Sequence, residues 1–200
     1  MSVEEPHSEE ETLDEIVALF RDAERAIKYV EDFGQTLVFP AVNQLRYTGN
    51  HLVRFLATRD RTELIDASRH VKRATYDAYE TAIVYQMGCY EKFKQDYQKV
   101  QVTKVIPDYV EIQGQIEDAR QFIRDHNGSK TRGDHYRDGQ EHLDKIKCMV
   151  HRLEVSRGEL NKLIQSERTK FMLQLTGSVA AVLSVLATVI IGLLTWVGCK

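Results

Sequence analysis

The feature that most constrains this chain is an uncharged run close to its C-terminus. Residues 175–199, LTGSVAAVLSVLATVIIGLLTWVGC, include 25 positions without a charged side chain, beginning at Leu175. A helix needs about 20 apolar residues to cross the hydrocarbon core of a bilayer. Trp196 lies near the far end of the run, where an indole favours the headgroup region. The pattern predicts one transmembrane helix with membrane lipid as its partner. The alternative is a buried helix of a soluble protein, for which a 200-residue chain has little core.

Two features of the sequence predict on which side of the membrane the N-terminal domain lies. The first residues, MSVEEPHSEEETLDE, are acidic and lack the basic stretch and apolar core of a secretory signal. Arg168 and Lys170 stand just before the run, which agrees with a cytoplasmic domain on that side. We therefore expect a tail-anchored, single-pass membrane protein whose N-terminal domain is cytoplasmic. In a bacterium the membrane would be the inner one.

The residues before the span repeat with a helical period. The first such stripe, at steps of three and four, is Leu13, Ile16, Phe20, Ala23, Ile27 and Val30. Asp60 followed by Glu63 predicts the start of a long third helix, and Pro40 and Pro107 separate neighbouring helices. No alternating apolar run is long enough for a strand. The predicted fold is all-α: an antiparallel bundle of four to five helices, with a long last helix running into a single C-terminal transmembrane helix.

Four segments follow from this pattern. They are an acidic, flexible N-terminus over residues 1–10, a cytoplasmic helical bundle over 11–134, a long helix or stalk over 135–173, and the transmembrane helix over 174–198. The stalk has a heptad-like apolar spacing typical of coiled coils. The long third helix carries a row of small residues, which predicts close packing inside the bundle or across a dimer: Ala67, Ala74, Ala78 and Ala82.

Charge is distributed unevenly along the chain. Residues 1–40 carry 11 acids and 3 bases, a net charge of −8, whereas residues 41–75 carry 7 bases and 3 acids, a net charge of +4. One interpretation is that the acidic first helix neutralises the basic second and third helices. The other is a basic surface for RNA or for anionic lipid headgroups.

Residues 40–85 contain Arg46-Tyr47 with His51, then Arg69-His70, then Tyr76-Asp77-Ala78. In this pattern they resemble the second and third helices of small bacterial HEPN-like proteins. The resemblance covers about a quarter of the chain. It implies a helical bundle, frequent dimerisation and a place in toxin–antitoxin or phage-defence systems. Some members of this family are metal-independent RNases with an arginine and a histidine separated by four to six residues, and many others are inactive.

Two pairs have that separation. Arg46 and His51 lie five residues apart, which places them about 140° apart around a regular helix, so they do not face one substrate from one continuous helix. Arg120 and His126 form a looser pair beside the predicted loop over residues 127–133. Arg69 and His70 belong to a helix expected next to the first pair. The alternative to catalysis is a polar cluster that binds the acidic first helix.

The sequence predicts no cofactor and no metal site. His135 and His142 stand about two turns apart, too far to share one ion. The three cysteines are widely spaced and form neither a disulfide framework nor a zinc motif: Cys89, Cys148 and Cys199. Cys199 lies at the membrane edge, where lipidation or a crosslink is the alternative to an unmodified thiol.

Three functions remain open. The first is a membrane effector of bacterial antiviral defence, whose cytoplasmic domain senses or oligomerises and whose spans act on the membrane. Small residues in the span, spaced to let spans pack closely, favour a homo-oligomer: Gly177, Ala181, Ser184 and Thr188. The second is a membrane-anchored HEPN-like RNase. The third is a non-enzymatic scaffold that binds a partner protein. RNA or a defence-system protein is a possible partner, and DNA is not expected.

Overall fold

The computed structural model describes residues 9–34, 38–126 and 128–198, and this part of the chain is helical without any β-strand. It contains α1 (Glu9–Gly34), α2 (Phe39–Thr58), α3 (Arg61–Asp96), α4 (Tyr109–His126), α5 (Tyr136–Val155) and α6 (Arg157–Gly198). Short 3₁₀ turns lie at Val102–Lys104 and Arg132–His135. The all-α prediction is confirmed, with a helical bundle followed by one long apolar helix.

Pro40 and Asp60, which the sequence places at helix boundaries, lie at the observed starts of α2 and α3. Asp60 precedes α3, and its carboxylate accepts a hydrogen bond of 2.9 Å from the backbone N–H of Thr62. Pro40 lies in the first turn of α2, where its missing N–H costs no helical hydrogen bond. Arg59 ends α2 in a left-handed conformation, so only two residues separate α2 from α3.

The core forms around α3, which packs against α1, α2 and α5. One apolar cluster joins α3 to α4, α5 and the start of α6, and a smaller one joins α3 to α1 and α2. The alanine row lies inside, since Ala67, Ala74, Ala78 and Ala82 are fully buried. Small side chains at these positions let the neighbouring helices approach α3 closely, as the sequence predicts.

The helix α3 ends at Asp96, well before Pro107. Tyr97 caps it and is buried, with its hydroxyl 3.1 Å from the Asn161 side chain of α6. Arg157 at the start of α6 pairs with Asp96 at 2.6 Å and lies over the Phe93 ring. Contacts distant in sequence therefore fix this helix end, and periodicity alone does not report them.

The segment predicted as a stalk comprises α5 and the first part of α6, with Ser156 between them. Leu160 and Ile164 of α6 still pack on the core, and Lys104 pairs with Glu167 at 2.9 Å. After Ile164 the helix α6 leaves the bundle, and every residue from 165 to 188 is exposed. By length and composition, α6 could span a membrane, and none of its most apolar stretch is buried.

Candidate functional site

The histidines expected to cluster do meet between α2 and α3. The rings of His51 and His70 stack with centroids 5.1 Å apart and planes 15° apart. The Tyr47 ring lies 5.4 Å from the His70 ring on another side. These three side chains form an aromatic group in which the two imidazoles are half-buried and the Tyr47 ring is exposed.

Polar partners fix both imidazoles. The Nδ1 atom of His51 lies 2.7 Å from a Glu63 carboxylate oxygen, and that of His70 lies 2.7 Å from the Gln44 side-chain oxygen. Because both partners are acceptors, Nδ1 donates in each ring and Nε2 faces away from these partners. Glu63 is buried and also pairs with Arg54 at 2.6 Å. The pKa of His70 is lowered, first by burial and then by the neighbouring His51.

The two arginines predicted for this site do not converge on the histidines. The Arg46 guanidinium lies 5.3 Å from the Tyr47 ring centroid, a cation–π contact on the exposed side of α2. Arg69 is exposed and pairs with Asp66 at 3.1 Å. The alternative to catalysis was a polar cluster that binds the acidic first helix. The partners found for His51, His70 and Arg69 lie instead on α2 and α3. Lys72 of α3 does pair with α1, since it reaches Glu15 at 3.3 Å.

The second predicted pair is separated by its partners. Arg120 pairs with Glu91 of α3 at 2.8 Å, and this hydrogen bond raises the pKa of the guanidinium. His126 donates from Nδ1 to the Phe122 carbonyl at 2.8 Å, and its ring lies 4.1 Å from the His135 ring. His126 thus belongs to an aromatic group at the end of α4, away from Arg120.

A buried ion pair between α3 and the 3₁₀ turn at Arg132–His135 was not predicted from the sequence. Asp77 of α3 is 3% exposed, and the Arg132 Nε lies 2.8 Å from its Oδ1 as an ion pair whose atoms are not aligned as a hydrogen bond. Burial raises the pKa of the Asp77 carboxyl, and Arg132 and Arg73 oppose that shift. Burial also raises the pKa of Tyr76 to about 12. The sequence signal was one carboxylate within the apolar face of α3.

A basic cavity of about 370 Å³ opens between α3 and the connection from α4 to α5. Four basic side chains and two carboxylates line it: Arg69, Lys72, Arg73 and Lys130, with Asp66 and Asp134. His70 also reaches its wall, so the cavity adjoins the stacked histidines. The arrangement suits an anionic group, because the positive charges exceed the negative ones.

The predicted membrane residues lie on the exposed part of α6. Leu175, Gly177, Ala181, Ser184 and Thr188 are all exposed to the surroundings of the bundle. Trp196 is on α6, outside the residues whose side chains the structure describes. The hydroxyls in residues 175–188 bond to carbonyls of their own helix, such as Ser184 to Ala180 at 2.9 Å and Thr188 to Ser184 at 2.8 Å. A helix with its hydroxyls satisfied internally is compatible with lipid.

No family model, curated protein or solved structure matches the chain. Within the described residues, no group of three or more His, Cys, Asp or Glu side chains could hold a metal ion.

Proposed function

We propose that this protein is a membrane effector anchored by α6, with a cytoplasmic helical domain that senses or oligomerises and spans that act together on the bilayer. The observation that carries the proposal is the exposed apolar part of α6. Its residues from 175 to 188 carry no charge and touch none of the bundle. A continuous apolar surface of this size is unfavourable in water. The uncharged part of α6, which extends from residue 175 to its end at Gly198, is long enough to cross the hydrocarbon core of a bilayer.

The same proposal includes the orientation and the bundle geometry. Arg168 and Lys170 stand on the bundle side of the apolar run, which supports a cytoplasmic bundle. We propose that α1–α5 pack as an antiparallel bundle, since the two-residue connection from α2 to α3 suits antiparallel neighbours. The resemblance of residues 40–85 to HEPN-like proteins supports a role in bacterial antiviral defence.

Action on the membrane requires several spans to assemble. Gly177, Ala181, Ser184 and Thr188 share one face of α6, and their small side chains let two helices approach closely. Single transmembrane helices can perturb a bilayer when several copies assemble at one place. The proposed active form is therefore a homo-oligomer.

Expression in a bacterium with a membrane-potential dye tests this function. We expect loss of membrane potential with the full chain and none with a chain truncated after Ser166. Total RNA should stay intact while the potential falls. RNA loss that precedes any change in potential, or toxicity that persists in the truncated chain, would contradict an action through the spans.

A membrane-anchored RNase is the alternative, and one observation favours it: the stacked His51 and His70 lie beside the basic cavity. In such an enzyme a histidine would act on the ribose 2′-hydroxyl, with a nearby arginine on the phosphate. The Arg46 guanidinium lies over the Tyr47 ring instead, which supports a structural role for these residues over a catalytic one. RNA cleavage by the purified full chain that disappears in His51→Ala would support the enzyme. If neither activity is found, a scaffold that binds partner proteins remains.

A further inference from the structure

We propose that the basic cavity between α3 and the α4–α5 connection binds a small soluble ligand through a phosphoryl group, with a nucleotide as the ligand size that fits. This goes beyond the proposed membrane function and does not depend on it. The proposal stands on the charge of the cavity, on its fixed walls and on its place in the molecule.

The charges of the cavity leave room for an anion. Arg69 pairs with Asp66 at 3.1 Å and Lys72 pairs with Glu15 at 3.3 Å, which leaves Arg73 and Lys130 against the carboxylate of Asp134 in the lining of the cavity. Lys130 is exposed with no ion pair among the described residues. Arginine suits two phosphate oxygens at once and lysine acts as a point charge, so this set of side chains matches a phosphoryl group.

One wall of the cavity contains a donor that is not satisfied. The Nε atom of Arg73 is buried and has no hydrogen-bond partner within the described chain. A buried donor without an acceptor is costly and rare in proteins. Arg73 already interacts electrostatically with the buried Asp77 carboxylate. An anionic oxygen in the cavity would add negative charge beside the same guanidinium.

The walls are held in place before any ligand arrives. Gly133 packs so closely on α3 that a Cβ there would lie 3.1 Å from the Arg73 backbone nitrogen. The neighbouring Arg132 reaches inward to the buried Asp77 at 2.8 Å. These contacts fix the connection that carries Lys130 against α3. A fixed cavity binds without the entropic cost of ordering its walls.

Size and position favour a ligand from solution over a lipid headgroup. The volume of about 370 Å³ is within the range of small-ligand pockets. Arg73 at the cavity and Asp96 at the far end of α3 are 23 residues apart, or about 35 Å along the helix. Asp96 pairs with Arg157, where α6 begins. The cavity is therefore distant from the start of the helix that is proposed to enter the membrane.

Titration calorimetry on the full chain in detergent tests the proposal. The probes are adenosine triphosphate, inorganic phosphate, adenosine and detergent micelles that contain an anionic lipid. We expect saturable binding of adenosine triphosphate, weaker binding of phosphate and none of adenosine, with affinity falling as salt rises. A ligand that binds through its phosphoryl group has to show this order. Binding of adenosine, of the anionic lipid only, or of none of the probes would overturn the proposal.

Two variants place the binding in the cavity. Lys130→Glu reverses an exposed charge at its rim, and Arg69→Gln removes a second one. Each should weaken binding of adenosine triphosphate by about tenfold or more. The control is Lys92→Glu, an exposed α3 residue outside the cavity, which should leave the affinity unchanged. Full affinity in both cavity variants, or an equal loss in the control, would overturn the assignment. Short single-stranded RNA that binds far more tightly than adenosine triphosphate would assign the cavity to RNA instead.

Discussion

At the scale of single residues, the contact between Gly133 and the backbone of α3 determines how the α4–α5 connection is held. A Cβ at this position would lie 3.1 Å and 3.2 Å from backbone atoms of Arg73, which cannot turn aside as a flexible side chain would. We expect Gly133→Ala to lower the free energy of unfolding by roughly 1–3 kcal/mol through overpacking. Chemical denaturation of the full chain in detergent measures this change.

Gly114→Ala is the matched control for this prediction. Gly114 is exposed within α4, and a Cβ there would meet nothing within 4 Å. The same substitution should be neutral or stabilise by up to about 1 kcal/mol, because alanine favours helix over glycine. Equal effects of the two substitutions would show that Gly133 is not in close contact.

His70 should make stability depend on pH. Burial lowers the pKa of His70 below its ordinary value of 6.5, with His51 and Arg73 acting in the same direction and Asp66 opposing them. A depressed pKa contributes stability that is present above pH 6.5 and is lost as the pH falls through the lowered value. We expect the contribution of His70 to the free energy of unfolding to fall as the medium is acidified from neutrality.

His70→Gln isolates this contribution. Glutamine keeps a donor toward Gln44 but does not titrate, so the difference between wild type and variant should shrink as the medium becomes acidic. Asp77 and Glu80, whose pKa values are raised by burial, act in the opposite direction in both proteins and cancel in the difference. A difference that does not change with pH would contradict the account.

These residues also show what the sequence could not provide. The resemblance and the charge pattern brought His51 and His70 into one region, and the structure stacks them. The ion pair between Asp77 and Arg132 joins residues 55 positions apart, and no periodicity reports such a contact. The direction of a side chain such as Arg46 depends on its neighbours, here Tyr47, and not on spacing alone.

At the scale of elements, α3 is the helix on which the bundle depends. Ala78 is fully buried where α3 meets its neighbours. Ala78→Leu should lower the free energy of unfolding by roughly 1–3 kcal/mol, because three further carbons have no space. The exposed Ala57 of α2 supplies a control, since Ala57→Leu should change stability by less than about 0.5 kcal/mol. An unchanged melting temperature for Ala78→Leu would remove this position from the interior.

The small-residue face of α6 has its own prediction. Ala181→Leu places a large side chain on the face proposed for helix contacts and should reduce the oligomer measured by crosslinking in membranes. Val179→Leu, on the opposite face of α6, is the control and should leave the oligomer intact. Equal effects of both substitutions would show that this face does not mediate association.

Element boundaries were predictable where local chemistry sets them. Asp60 caps α3 through its own side chain, so four residues of sequence suffice to place that start. The end of α3 and the junction at Ser156 are held by contacts between distant parts of the chain, Tyr97 with Asn161 and Arg157 with Asp96. Helix identity follows from periodicity, whereas these ends follow from tertiary packing.

At the scale of the whole molecule, the chain combines a bundle with a buried core and a helix whose apolar side chains are exposed. In the bundle, burial of apolar area opposes the loss of chain entropy. The part of α6 from 165 to 188 gains nothing from that core. The two parts suit different surroundings, and this is the physical basis for the proposed membrane anchor.

The most direct test of the central claim is alkaline extraction of membranes from bacteria that express the full chain. The account predicts that the full chain stays in the membrane pellet, whereas a chain truncated after Ser166 is soluble and helical. This truncation keeps Leu160 and Ile164 on the core and, within the part of the chain that the structure describes, removes one exposed ion pair of the bundle, between Lys104 and Glu167. Release of the full chain into the alkaline supernatant would contradict a membrane-spanning α6.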